Sequence, residues 1–219
     1  MQITIDPELK KTAPRTALGL VTAHVRIQNS SEELLAELKS KENEIRKLAE
    51  PKAVLESSRI LATRRGYKAL GKDPSRYRGS AEALLRRIIG GKSFPEINNV
   101  VDIINLLSVE SRLPVGLYDL DHIEGDILFR VGRAAESYKG IGKYDLNLEG
   151  LPVFCDTAGP HGSPTSDSER TMVTPATTRI AAIFVSFGGD EGLESSCQRM
   201  ADLLERYANG TVIQSSLVL

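Results

Sequence analysis

The sequence predicts an α/β fold: a single domain with a mixed β-sheet flanked by helices. Two observations carry this expectation. Short β-branched runs are interleaved with longer charged amphipathic stretches, but without the strict strand–helix period of an all-parallel sheet. The 219 residues, 41% hydrophobic and 26% charged, have the balance of a globular chain long enough to bury a full core. No internal repeat is visible.

The elements follow in order. Gln2 to Ile5 alternates like a short strand, and Pro7 opens a short helical turn. Leu18 to Ile27, LGLVTAHVRI, reads as a buried strand. Ser30 with Glu33 forms a capping-box pattern ahead of the amphipathic stretch LLAELKSKENEIRKL. A second helix is expected from Pro51 to about Leu70, ended by Gly71. Asp73-Pro74 marks a turn, Ser80 caps a short helix, and Gly90-Gly91 ends it. An apolar helix then runs from Asn98 to Pro114, which stops the regular structure, so that LPVGLYDL is expected to be irregular. Ile127 to Val131 and Leu151 to Cys155 read as strands, Gly159 to Ser168 as a loop, and Thr171 to Phe187 as two strands broken near Pro175. A helix from Glu191 to Tyr207 and a strand from Thr211 to Val218 complete the chain.

Several function classes fall away. Cys155 and Cys197 are the only cysteines and have no metal-like spacing, and the opening MQITIDPELKK has no apolar core of signal-peptide length, so a reducing cytoplasm is the expected compartment and no membrane is expected. Gly91-Lys92-Ser93 resembles the end of a phosphate-binding P-loop, but Arg86 stands where that motif needs glycine and a helix precedes it instead of a strand. Asp119, Asp121, Glu124 and Asp126 do not fit a calcium loop, His24, His122 and His161 share no ligand spacing, and no nucleophile elbow is present. No metal or cofactor is expected.

Charge is segregated. The segment Arg59 to Lys92 holds ten basic residues against Asp73 and Glu82, a local excess of +8 in a chain of net charge -1. Such a stretch either faces a polyanion, with Tyr67 and Tyr77 able to stack on bases, or is a solvated surface paired elsewhere in the fold.

The helix NNVVDIINLL raises a sharper question, because Asp102 and Asn105 lie three residues apart on one face of an otherwise oily rod. Burying either group without a hydrogen bond costs roughly 2–7 kcal/mol. Asp102 is best read as tying down a neighbouring loop. For Asn105 two readings stand side by side, a tie to irregular backbone and an amide facing a ligand.

The ordered string NNVVDIIN, LPVGLYDLDHIEGDILFR and LPVFCD resembles the editing domain of the phenylalanyl-tRNA synthetase beta subunit, called B-three/B-four. The family's V-D-x-x-N helix corresponds to Val101 through Asn105, its Q-P-x-H-A-F-D turn to the segment ending Pro114 to Asp119, and its D-x-I-x-G to Asp121 through Gly125. The likeness is good from about Asn98 to Asp156 and runs more weakly to about Phe187, and DPSRYRGSAEALLRRIIGGK resembles what free-standing relatives carry upstream. On this alignment the family's histidine falls on Gly116 and its glutamate on Pro160.

The resemblance implies a division into an N-terminal α/β portion (1–58), a core like the editing domain (59–190) and a C-terminal helix and strand (191–219). It implies a cytoplasmic, free-standing aminoacyl-tRNA deacylase, with tRNA as partner and no DNA. Such editing is needed because an apolar synthetic pocket rejects an isostere bearing one added hydroxyl by only about 10²-fold. Water attacks the ester in such sites and positioned donors stabilise the oxyanion, so no nucleophilic side chain is required. The residues it points to are Asn105 and His161 for catalysis, and Asp102, Gly116, Tyr118 and Gly159 around the aminoacyl group, with one pocket beside Asn105 and Tyr118. Arg64, Arg65, Lys68, Arg76, Arg78, Arg86 and Arg87 are expected to hold the tRNA. The alternatives are a non-catalytic tRNA or aminoacyl-tRNA binder and a pocket for a small amino acid.

Overall fold

A computed structural model describes residues 1–142 and 144–219. In chain order the described elements are β1 (Ile3–Ile5), α1 (Pro7–Thr12), β2 (Ala17–His24), α2 (Glu32–Arg46), α3 (Ser58–Ala69), α4 (Ser80–Ile89), α5 (Asn99–Ser111), β3 (Val115–Asp119), β4 (Ile127–Val131), β5 (Ser137–Lys139), β6 (Asp145–Asn147), β7 (Pro152–Asp156), β8 (Gly159–Gly162), β9 (Arg179–Ser186), α6 (Leu193–Ala208) and β10 (Thr211–Val218). The α/β class holds. A mixed sheet in the order β1-β4-β7-β8, with β1 parallel to β4, lies beside an antiparallel sheet in the order β10-β2-β9-β3, and β5 and β6 form a separate hairpin.

The antiparallel sheet divides two cores. Side chains alternate across a strand, so each strand feeds both faces. On β9, Ile180, Ala182 and Phe184 join the helical core with α2, α4, α5 and α6, whereas Ala181, Ile183 and Val185 join a second core with Phe129 and Phe154 of the mixed sheet. β2 splits the same way, Val21 and Ala23 against Leu18 and Leu20. The layers are therefore helices, antiparallel sheet, mixed sheet.

Several expectations are corrected. LPVGLYDL is not irregular: β3 is a fully buried strand paired antiparallel along β9. Burial on both faces removes the polar alternation that marks a half-exposed strand. Only Arg179–Ser186 of the expected strand pair is extended, and part of the loop after Gly159 is β8. The segment from Pro51 is a 3₁₀ turn to Glu56 and then a distinct helix from Ser58. The cap of α2 is Ser31, whose hydroxyl accepts from the Leu34 amide, which frees Ser30 for another role. Gly79 stands at the cap of α4 in place of Ser80.

Ser30 answers for Asp102. Its hydroxyl donates to the buried Asp102 carboxylate at 2.6 Å, and the Ile97 amide donates to the other oxygen at 3.1 Å. Burial raises the pKa of Asp102, while these two bonds pull it down. Asn99 is the stronger tie. Its side-chain nitrogen donates to the carbonyls of Arg26 and Tyr207, and its oxygen accepts from the amides of Gln28 and Val100. One fully buried amide therefore joins α5, the end of α6 and the segment leaving β2.

Asn99→Ala strands several of these buried backbone groups and is expected to cost about 2–3 kcal/mol in urea unfolding. Asn105, half-buried and with no side-chain hydrogen bond among the described residues, is expected to cost less than about 0.5 kcal/mol as Asn105→Ala. Equal losses in the two variants contradict this assignment.

Candidate functional site

The site is built around the slot that holds Tyr118. Its phenol is fully buried on the second-core face of β3. A Cβ placed on Gly116 of β3 or on Gly162 of β8 would come under 3.0 Å from the Tyr118 hydroxyl, so the two glycines are what leave room for it. The hydroxyl donates to Asp167 at 2.9 Å, and the Leu117 amide donates to the other oxygen of the same carboxylate at 3.3 Å. Burial first, and the Asp167 charge second, raise the Tyr118 pKa far beyond the phenol range.

Asp167 belongs to the segment SPTSDS, residues 163–168, which three tyrosines hold in place. The Tyr67 hydroxyl bonds Thr165 Oγ1 at 2.7 Å, that of Tyr138 donates to the Ser166 carbonyl at 2.5 Å, and that of Tyr118 reaches Asp167. Ser163 turns the segment, its Oγ accepting from the amides of Thr165 and Ser166. From the sequence alone this stretch reads as part of a loop from Gly159 to Ser168. The available signal was its density of Ser, Thr and Asp, which bond their own backbone and fix a turn.

His161 lies on β8 against this slot. Its ring stands perpendicular to Tyr118, with centroids 4.6 Å apart, and is stacked at 28° to Phe154 with centroids 6.4 Å apart. It has no solvent exposure, and neither ring nitrogen has a hydrogen-bond partner among the described residues. Burial lowers its pKa to about 4, with Asp156 opposing the shift and Arg170 adding to it. The imidazole is neutral at pH 7. Asp156 is clamped by both terminal nitrogens of Arg170, at 2.9 and 2.8 Å, and its Oδ1 also accepts from the amides of Ala158 and Gly159. Gly159 thus serves the turn into β8, at φ 122°, where a side chain is strained.

Asn105 stands elsewhere. α5 packs on the helical face of the antiparallel sheet with Val115 and Leu117 of β3, whereas Gly116 and Tyr118 alternate to the opposite face. The pocket expected beside both Asn105 and Tyr118 is therefore not formed, because a sheet lies between them. The pairing Gly116–Tyr118–His161 is brought together; Asn105 and Asp102 are not part of it.

The basic segment is partly neutralised. Arg64 grips the buried Glu82 with two bonds of 2.9 and 2.8 Å, and Arg86 adds a third at 2.7 Å. Burial raises the Glu82 pKa, but these bonds hold it below the usual carboxylate range. Arg87 donates to the Ser93 carbonyl, and Arg76 lies 5.8 Å from the Tyr77 ring centroid. Among the described residues, no carboxylate lies within ion-pair distance of Arg65, Lys68, Arg78 or Arg87, all exposed.

Two outcomes follow from the slot. Because His161 has a depressed pKa in the folded state and an ordinary one near 6.5 when unfolded, protonation favours the unfolded chain. Stability is expected to fall as pH drops from 6.5 towards 4, at up to about 1.4 kcal/mol per pH unit, and His161→Phe should flatten that slope in urea titrations. Gly116→Ala is expected to destabilise by about 1–3 kcal/mol through overpacking. Part of that loss should be recovered in a Tyr118→Phe background, which removes the nearest clashing atom; additive losses in the double-mutant cycle contradict the slot.

Comparison with known proteins gives these features a family. The family model described as the B3/4 domain matches residues 62–209. No curated protein sequence matches the chain significantly. A crystal structure of an N-terminal fragment of the phenylalanyl-tRNA synthetase beta-subunit from Pyrococcus horikoshii shares the fold, with a TM-score of 0.51 and 16% identity, over 96% of this chain and 50% of that one. The chain thus spans half the length of that fragment. With the model covering most of its length, the chain belongs to the B3/4 domain family.

Proposed function

We propose that the protein is a tRNA-binding module that removes a wrongly attached amino acid from tRNA, acting in trans as an ester hydrolase. The observation that carries this reading is His161: a neutral imidazole, fully buried, with both nitrogens unbonded among the described residues, on the strand beside Tyr118 and Asp167. An unsatisfied buried polar group costs about 1–3 kcal/mol and calls for an explanation, which a bound substrate or water supplies. Membership of the B3/4 family and the likeness to a synthetase beta-subunit fragment support tRNA as the partner.

In this reading water attacks the ester carbonyl. Neutral His161 accepts a proton from the attacking water and returns it to the departing ribose oxygen, so the amino acid and the restored ribose hydroxyl are the products and no covalent intermediate forms on the protein. Exposed Arg65, Lys68, Arg78 and Arg87 supply the tRNA contact, whereas Arg64 and Arg86 are largely committed to Glu82.

One observation favours the non-catalytic alternative. The Tyr118 phenol fills the space above Gly116 and Gly162, so an aminoacyl group reaches His161 only once Tyr118 turns aside. A binder that grips tRNA without hydrolysis needs no such motion.

Incubation with a panel of mischarged tRNAs separates the two. Deacylation of at least one of them is expected, with His161→Ala lowering the rate by about 10²-fold or more while tRNA binding persists. Salt-dependent tRNA binding without release of any amino acid assigns the binder, and neither binding nor release removes both readings.

A further inference from the structure

A second site is visible away from the Tyr118 slot, with which it shares no residue. Between α3 and the segment SFGGDEG, residues 186–192, lies a cavity of about 360 Å³ lined by Arg15, Arg59, Arg65, Ser58, Gly189 and Gly192, among others. Three guanidinium groups converge on it against one carboxylate, the exposed Glu191.

The lining is built rather than incidental. Arg59 is held in place because its two terminal nitrogens donate to the carbonyls of Ser111 and Glu191, at 2.9 and 2.6 Å. Gly192, at φ 71°, lies so close to that guanidinium that a Cβ there would strike it. Gly189, at φ 101°, lies under the guanidinium of Arg15, where a Cβ would come within 3.3 Å of it, and its amide donates to the Arg15 carbonyl at 2.8 Å. The loop is fixed further by Ser186, whose hydroxyl donates to the Gly189 carbonyl and accepts from the Gly188 amide. Arg15 and Arg65 are exposed and, among the described residues, no carboxylate lies within ion-pair distance of either. Two helices also begin at this cavity. α3 starts at Ser58 with its cap residue Ser57 making no side-chain capping bond, and α6 starts beside Gly192, which has no side chain to cap with. Their first-turn N–H groups add positive potential to that of the arginines.

We propose that this cavity binds a phosphate group carried as a monoester or diester. Arg15 and Arg65 present planar forks that can each take two oxygens of a tetrahedral phosphate, and Arg59, whose terminal nitrogens are held by carbonyls, adds its charge from beneath. The volume exceeds that of one phosphate and leaves room for the group it is esterified to. Arg65 and Lys68, neighbours on the surface of α3, extend the positive lining outward along the helix.

Calorimetric titration of the full chain with pyrophosphate at low ionic strength tests this independently of any deacylation, because no aminoacyl ester is involved. Saturable binding is expected, weakened about tenfold or more in Arg15→Gln and in Arg65→Gln, both exposed positions whose variants should keep the wild-type melting curve. Absence of saturable pyrophosphate binding, or the same affinity in both variants, overturns the proposal. Competition then identifies the source of the phosphate: displacement by a nucleoside 5′-monophosphate marks a small ester, and displacement by an oligoribonucleotide alone marks a nucleic-acid backbone.

Discussion

The phenol of Tyr118 is the contact on which the arrangement of the slot depends. A buried hydroxyl must find a partner, and Asp167 is the carboxylate that meets it. To reach it, the ring passes between Gly116 and Gly162, two positions on different sheets where a methyl group would collide. The bond therefore joins the antiparallel sheet, the end of the mixed sheet and the 163–168 turn at one point. Tyr67 and Tyr138 reach the same turn from other directions, so a stretch without helix or strand is held as firmly as a regular element.

The histidine beside that contact stays neutral at pH values where a solvated imidazole would take up a proton. Its ring is enclosed by Tyr118 and Phe154, and the nearest charges, Asp156 and Arg170, are already spent on each other. Desolvation then dominates and keeps the imidazole neutral. A buried ring without hydrogen-bond partners among the described residues is what a tight apolar core avoids, and it sets His161 apart from the packing around it.

The charge of the chain is similarly divided by geometry. Glu82 is buried beneath Arg64 and Arg86 and cancels much of the positive field around α4, whereas Arg15, Arg59 and Arg65 gather where α3 and α6 begin. A linear count of basic residues shows an excess in the segment from Arg59 to Lys92 but not its location on the surface. Arg15, fifty residues upstream of Arg65, joins the cluster because β2, which begins just after it, pairs with the end of β9 and Gly189 binds its backbone.

What the sequence by itself determined were features set by local chemistry: the α/β class, the start of α1 at Pro7 and the end of α4 at Gly90, the closing strand Thr211–Val218, and the ordered string that marks a B3/4 domain. The role of Asp102 as a tie to its neighbouring loop was legible too, since a carboxylate in an oily helix needs a bond. The tertiary structure alone decided which face each residue serves. A strand buried on both sides carries no polar alternation, so β3 read as irregular, and Asn105 and Tyr118, close in sequence and alike in setting, were placed by the sheet on opposite sides. Partners distant along the chain, Tyr67 with Thr165 or Arg15 with Arg65, leave no periodic trace. Proximity between such residues is created by packing, and packing is a property of the folded whole.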